Sequence, residues 1–171
     1  MRISPNLHLF PLEENRKKVV HLTRRYWFCA SHRLHNPTLG ERENSELYGK
    51  CNNLGGHGHN YHLELTVTGP IDMRTGMVVD LGELDGFVQQ KVLERFDQTH
   101  LNAEAIFQSR VPTTENLCME IYRIVKEGWS SLPSARRAAL ERVRLEETAS
   151  NFFEYRGEVA SVANRESESS E

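Results

Sequence analysis

The stretch Cys51-Asn-Asn-Leu-Gly-Gly-His57-Gly-His59-Asn-Tyr61 places a thiol six residues ahead of two histidines spaced i, i+2. From His57 to Gly69 the chain alternates: His57, His59, Tyr61, Leu63, Leu65 and Val67 share one parity, and Gly58, Asn60, His62, Glu64, Thr66 and Thr68 the other. Residues two apart on a strand point to the same face, so both imidazoles stand on the face that turns apolar. Two histidines so placed are half a metal site, with Gly58 leaving the backbone between them uncluttered. The competing reading is a half-buried, hydrogen-bonded pair at a strand start. His32 favours the metal, because it ends another alternating run whose face carries Tyr26, Phe28 and Ala30. Three neutral imidazoles with an open fourth position suit a catalytic zinc. With no acidic ligand in the pattern, magnesium and calcium are disfavoured. His8, His21, His35 and His62 have no comparable company and receive no role; His62 falls on the polar face.

Cys51 sits in a polar Gly/Asn-rich loop near the proposed cation, where a thiol's pKa falls; against this, a lone cysteine is more often an inert small hydrophobe. Cys29 and Cys118 fall within a strand and a helix and read as structural. Asp97 opens a loop after a helix, where Asp is a common turn residue. In Leu145-Glu-Glu147-Thr148 one glutamate of the pair points inward, and an inward carboxylate is costly unless it meets donors. A ligand's N–H groups would serve.

The elements that must position these residues follow from periodicity and punctuation. Val19–His32 reads as a long strand, 36–50 as a polar loop, and His57–Gly69 as a strand stopped at Gly69-Pro70. Asp72 to Gly76 is a turn, and Met77–Val79 a short strand. Asp80 and Glu83 suggest a capping box ahead of a helix with Leu81, Leu84, Val88, Val92 and Phe96 on one stripe. Thr113 or Thr114 caps a second helix burying Leu117, Ile121, Ile124, Val125 and Trp129. Ala139–Thr148 and Phe152–Arg156 close the pattern as strands. This is an α+β order, with two helices on one face of an antiparallel sheet. Its long strands leave open edges that oligomerisation would pair.

At 171 residues, the chain fits one domain: an N-terminal arm over 1–18, the domain proper over 19–158, and a Ser/Glu-rich tail over 159–171 that reads as disordered. The 21 basic and 24 acidic residues are too balanced to suggest a nucleic-acid partner. No apolar run approaches a membrane span, no signal-peptide core precedes residue 19, and three irregularly spaced cysteines imply no disulfide framework. We expect a reduced, cytoplasmic protein.

Together these pieces resemble the 6-pyruvoyl-tetrahydropterin synthase family, including its queuosine-pathway relative 6-carboxy-tetrahydropterin synthase. The resemblance runs from about Arg25 to Glu158 through Phe28-Cys-Ala-Ser-His32-Arg-Leu34, Cys51-x5-His57-Gly-His59-Asn-Tyr61, Met77-Val-Val-Asp80-Leu, Asp97-x3-Leu101-Asn102, Pro112-Thr-Thr-Glu-Asn116 and Glu147-Thr148-x6-Tyr155-Arg-Gly-Glu158. It implies the T-fold (tunnelling fold), whose sheets join into a barrel by oligomerisation, commonly as a homohexamer of two trimers. It implies Zn2+ on His32, His57 and His59, Cys51 as catalytic thiol, and Asp97 as the carboxylate of a Cys–Asp–His relay. It also implies that Glu147 anchors the pterin's guanidine-like edge, aided by Thr113 and Thr114.

The implied activity is a lyase reaction. 7,8-Dihydroneopterin triphosphate becomes 6-pyruvoyl-tetrahydropterin as enolisation carries reducing equivalents into the ring and triphosphate is eliminated, with no redox cofactor. The five residues between Cys51 and His57 resemble the pyruvoyl-forming enzymes of tetrahydrobiopterin synthesis. The carboxy-forming reaction of queuosine biosynthesis, whose enzymes usually have a shorter gap, is the alternative. One departure stands out: the family usually places His directly after the relay Asp, and here that residue is Gln98. Gln cannot titrate. Either His100 substitutes for it, or Gln98 orients a water or Asp97, or the protein is a non-catalytic pterin-binding paralogue. Retention of Cys51, the three histidines and Glu147 favours an enzyme.

Overall fold

Two 14-residue strands carry the fold, β1 (Val19–His32) and β2 (His57–Pro70). They pair antiparallel along their whole length, from Val19 opposite Pro70 to His32 opposite His57. The computed structural model describes residues 18–158, so the arm over 1–17 and the tail over 159–171 expected from the sequence lie outside the described residues. Alternation sets the faces: Tyr26, Phe28 and Ala30 of β1 and Tyr61, Leu63, Leu65 and Val67 of β2 are buried, while Trp27 and Cys29 are exposed on the other side. β4 (Ala139–Thr148) and β5 (Asn151–Tyr155) extend the sheet antiparallel beyond β2. The order is β3-β1-β2-β4-β5, where β3 (Thr99–His100) joins β1 in parallel at Ala30 and Ser31.

Helices cover the inner face. α2 (Leu81–Val88) runs through a π turn (Gln89–Leu93) into α3 (Glu94–Phe96), and α4 (Thr114–Gly128) packs against β4 and β5. Leu84, Val88, Val92 and Phe96 are fully buried. Four-residue spacing drifts around an α-helix, because 3.6 residues make a turn. The wider π turn in the middle offsets that drift and returns Val92 and Phe96 to the core. Leu117, Ile121 and Val125 complete it from α4; Ile124 and Trp129 are only partly buried.

Four local expectations need correction. Segment 36–50 is not a loop throughout: it contains α1 (Glu41–Tyr48), where the Glu43 carboxylate accepts from the Gly40 N–H at 2.8 Å. The helix buries only Asn44, so no apolar stripe announced it. Met77–Val79 is not a strand, because the Met77 carbonyl accepts from the Asp72 N–H across its own turn. Leu81 is exposed, outside the buried stripe. Asp80 does cap α2 through the N–H groups of Gly82 and Glu83, but Glu83 bonds the Ser134 N–H instead of reaching back.

α2 is tied to β1 by one carboxylate. Asp85 accepts from Arg24 Nε at 2.8 Å and from the Tyr26 hydroxyl at 3.0 Å. The Arg24 hydrogen bond, against a smaller upward pull from burial, holds the Asp85 carboxyl below its ordinary value, with Tyr26 assisting. A depressed carboxylate contributes stability above its unfolded pKa and loses it as pH falls through the folded one. Asp85→Asn should therefore melt below the wild type at neutral pH, with the gap closing in acid below the ordinary Asp value of about 3.9. Thermal melts of both proteins across pH check this; a gap independent of pH would remove the ionic contribution.

Candidate functional site

The full-length pairing of β1 with β2 sets His32 directly across from His57. Strand alternation adds His59 to the same face, and the three rings lie with centroids 4.5 to 5.1 Å apart. One ligating nitrogen from each lies within 4.8 Å of the others, and the Nε2 atoms of His32 and His57 are 3.0 Å apart. Two nitrogens each 2.0–2.1 Å from one tetrahedral zinc would be about 3.3 Å apart.

The tautomers suit a cation. His32, 1% exposed, donates from Nδ1 to the Pro112 carbonyl at 2.7 Å, which leaves its Nε2 lone pair facing His57. An N–H held by a carbonyl is how a protein orients a metal-ligating imidazole. Burial lowers the His32 pKa against the pull of Pro112, and the neighbouring imidazoles lower it further; burial also lowers that of His57. Both rings are thereby kept neutral, the form that ligates. His59 Nε2 and His57 Nδ1 are buried without hydrogen-bond partners. Unsatisfied buried nitrogens are costly, and a cation would relieve that of His59. The donor set fits a metal ion with nitrogen ligands.

Glu147 closes the other side. It shares the inward parity of the buried Leu145, while Glu146 faces outward toward Arg144 and His62. Its Oε1 accepts from the Thr114 hydroxyl, and Oε2 from Asn151 Nδ2 at 3.0 Å. Oε1 also lies 3.6 Å from His59 Nε2 and 3.8 Å from His32 Nε2. Burial pulls the Glu147 pKa upward, but Thr114, Asn151 and the imidazoles outweigh it and hold the pKa below its ordinary value. An ionised, half-enclosed carboxylate beside three histidines can accept hydrogen bonds from a ligand with adjacent N–H donors. The Tyr61 hydroxyl is buried nearby beside Thr114 and stays protonated, since burial raises its pKa.

Of the residues singled out in the sequence, His32, His57, His59, Glu147 and Thr114 come together here. Thr113 is the N-cap of α4, accepting from the Asn116 N–H at 3.3 Å, and so acts on Thr114 through the helix. Cys51 lies on a 3-10 turn (Gly49–Asn52), half-buried, its carbonyl accepting from the Leu34 N–H at 2.8 Å. Its sulfur is not within the group formed by the three histidine nitrogens. Asp97 accepts from the Cys29 N–H at 2.8 Å, and His100 Nδ1 lies 3.0 Å from Ser31 Oγ. Both are exposed, Asp97 in the turn before β3 and His100 within it. Gln98 is held at φ 57° with its N–H on the Cys29 carbonyl. Cys29, read as structural, is exposed, with its thiol on Asn60 Oδ1.

The sequence reading missed Pro112 and Asn151. A backbone carbonyl carries no residue-type signal, and Asn151 falls in the gap between the two closing strands that the sequence predicts. Gly58 was credited with leaving room, yet a Cβ there would meet only ordinary contacts, 3.6 Å from the Ala30 carbonyl. Gly56 is the restrictive one: at φ +66, its Cβ would fall 2.7 Å from the His32 carbonyl oxygen. A left-handed non-glycine residue costs about 1–2 kcal/mol before any clash. Gly56→Ala should lower the melting temperature and weaken metal retention together, measured by thermal melts and metal analysis after dialysis. Unchanged metal affinity would show that the loop and the ligand are uncoupled.

A sequence model of the family described as 6-pyruvoyl tetrahydropterin synthase matches residues 21–158. The chain is 42% identical over 144 residues to the 6-pyruvoyl tetrahydrobiopterin synthase of Drosophila melanogaster, covering 84% of this chain and 83% of that one. It is 37% identical over 145 residues to the Homo sapiens protein of the same name, covering 84% and 95%. The solved structure of the Caenorhabditis elegans 6-pyruvoyl tetrahydropterin synthase superposes with a TM-score of 0.76 at 36% identity, covering 84% of this chain and 99% of that one.

Proposed function

Because the chain belongs to the 6-pyruvoyl tetrahydropterin synthase family, we propose that it converts 7,8-dihydroneopterin triphosphate to 6-pyruvoyl-tetrahydropterin with loss of triphosphate. The carrying observation is the opposition of an ionised Glu147 to three clustered imidazoles in one partly enclosed site. The fold is the T-fold of its structural neighbours, an antiparallel sheet with helices packed on it. Among the described residues no helix is long and apolar enough to cross a membrane.

His32, His57 and His59 would hold a zinc ion, which supplies Lewis acidity toward side-chain oxygens when bound. Glu147 receives the N–H donors of the pterin edge and fixes the ring's rotation, with Thr114 and Asn151 holding its two oxygens. Pro112 fixes which nitrogen His32 presents. Cys51 is the proposed general base for the side-chain proton, carried on a turn pinned to the chain just beyond His32. Asp97 and His100 sit on an exposed sheet edge. Their proposed relay role is best served in an assembly where that edge meets another copy. Open edges at β3 and β5 favour such a homo-oligomer, a hexamer in the T-fold pattern.

Product analysis tests this reading. Zinc-loaded protein incubated anaerobically with 7,8-dihydroneopterin triphosphate should yield the 6-pyruvoyl product by mass spectrometry. A 6-carboxy product with acetaldehyde would move it to the queuosine reaction. Unchanged substrate with pterin bound would mark a binding protein whose relay fails at Gln98.

A further inference from the structure

A second cavity, of about 590 Å³, opens beside the histidine site and has a distinctive lining. Arg33, His35, His100 and Arg110 contribute to it, with Gln108 and Ser109 among its uncharged members, and among the described residues no Asp or Glu lines it. The chain is acidic by three charges overall, so a cavity whose only charged side chains are basic, set among neutral polar and apolar ones, is a local departure. It adjoins the site at two points. Arg33 directly follows His32, and Val111, also in the lining, directly precedes Pro112, whose carbonyl orients His32.

The charges have unequal freedom. Arg33 is committed to structure, with Nε on the Asn52 carbonyl and Nη2 on Asn52 Oδ1, and it meets the largely exposed Glu41 carboxylate at 3.8 Å. Arg110 is exposed and forms no hydrogen bond or ion pair among the described residues; its influence on an acid is at longer range, on Glu120. A guanidinium without a bonded carboxylate, at the mouth of an acid-free cavity, is suited to phosphate oxygens.

Resting on the pterin-synthase reading above, we propose that this cavity holds the polyphosphate end of the substrate and the triphosphate that leaves. Arg110 is the charged group free to contact it, Ser109 and Gln108 offer hydrogen bonds, and Arg33 supplies a fixed positive field. The substrate would then span from Glu147 across the histidines into this cavity, putting the bond to the leaving group near the reacting side chain. Burial of phosphate against arginine also explains how a flexible side chain is held in one extended pose.

Inorganic triphosphate is the probe, titrated calorimetrically into the zinc-loaded full-length protein. Wild type is expected to bind it, and Arg110→Ala and Ser109→Glu each to weaken binding at least about tenfold. Arg42→Ala, on the exposed face of α1, should bind as wild type does. The first two variants should also raise KM for the triphosphate ester without changing affinity for dihydroneopterin lacking phosphates. Equal triphosphate affinity in wild type, Arg110→Ala and Ser109→Glu would overturn the assignment, as it would mean the anion sits on the metal or nowhere specific. No binding to wild type would overturn it as well. The binding measurement needs no turnover: failure to form the pyruvoyl product, with triphosphate binding intact and Arg110-dependent, would sink the functional reading and leave the anion site standing.

Discussion

His57→Ala is expected to lose its metal and with it essentially all turnover. His57 faces His32 at 3.0 Å between Nε2 atoms, and among the described residues the site offers three imidazoles and no fourth. Removing an outer hydrogen-bond partner of a metal ligand already costs roughly 10–100-fold in affinity or activity; removing one of three ligands should cost more. The fold should survive. The His57 ring is only half-buried and its Nδ1 has no partner; without a metal, its Nε2–H donates to the His32 Nε2 lone pair at 3.0 Å, a single hydrogen bond. The metal-free variant should melt slightly below the metal-free wild type, because the buried His32 Nε2 loses its donor. Metal content after exhaustive dialysis, read beside a melt of the apo proteins, separates site loss from unfolding. A variant that kept metal at one ion per chain would exclude His57 as a ligand.

Glu147→Gln separates substrate binding from metal binding. The substitution keeps the shape but exchanges one oxygen for an NH2. That group must then face a donor, either the Thr114 hydroxyl or Asn151 Nδ2. It also removes the negative charge that a guanidine-like edge would pair with. Hydrogen bonds to charged groups contribute about 1.5–3 kcal/mol, so pterin affinity should fall roughly 10- to 100-fold. Metal should stay near wild-type stoichiometry, because the three imidazoles are untouched. Equilibrium binding of a pterin, followed by fluorescence, reads the first effect, and metal analysis reads the second. Unchanged pterin affinity would refute the anchoring role; lost metal would make Glu147 part of the metal site.

The acid-side and glycine predictions act on the scaffold instead. Asp85 ties α2 to β1 well away from the histidines, so its loss should lower stability without touching metal affinity. Gly56 lies between scaffold and site: its backbone passes so close to the His32 carbonyl that any side chain there must move a ligand.

Features that depend on a short repeat were legible along the chain. Period-two alternation put His57 and His59 on the apolar face of β2, and His32 on that of β1. It also required one of Glu146 and Glu147 to face inward, and in the folded chain that one is Glu147, on the side of Leu145. Four-residue spacing picked out Leu84, Val88, Val92 and Phe96, and Thr113 announced the start of α4. The family motifs carried the functional reading beyond what periodicity alone could support. α1 escaped because its only buried residue is polar, and the strand expected at Met77–Val79 failed because its carbonyl was taken locally. Only the tertiary structure decided the rest. Placing His32 opposite His57 depends on the register of strands 25 residues apart, which packing of both faces settles. Joining Thr114 to Glu147, and Pro112 to His32, requires α4 to dock on the sheet at one height. Leaving Asp97 and His100 at an exposed edge is likewise a matter of which strand β3 joins. Residue spacing encodes direction along one element, whereas distances between elements are set by the packing of all of them at once.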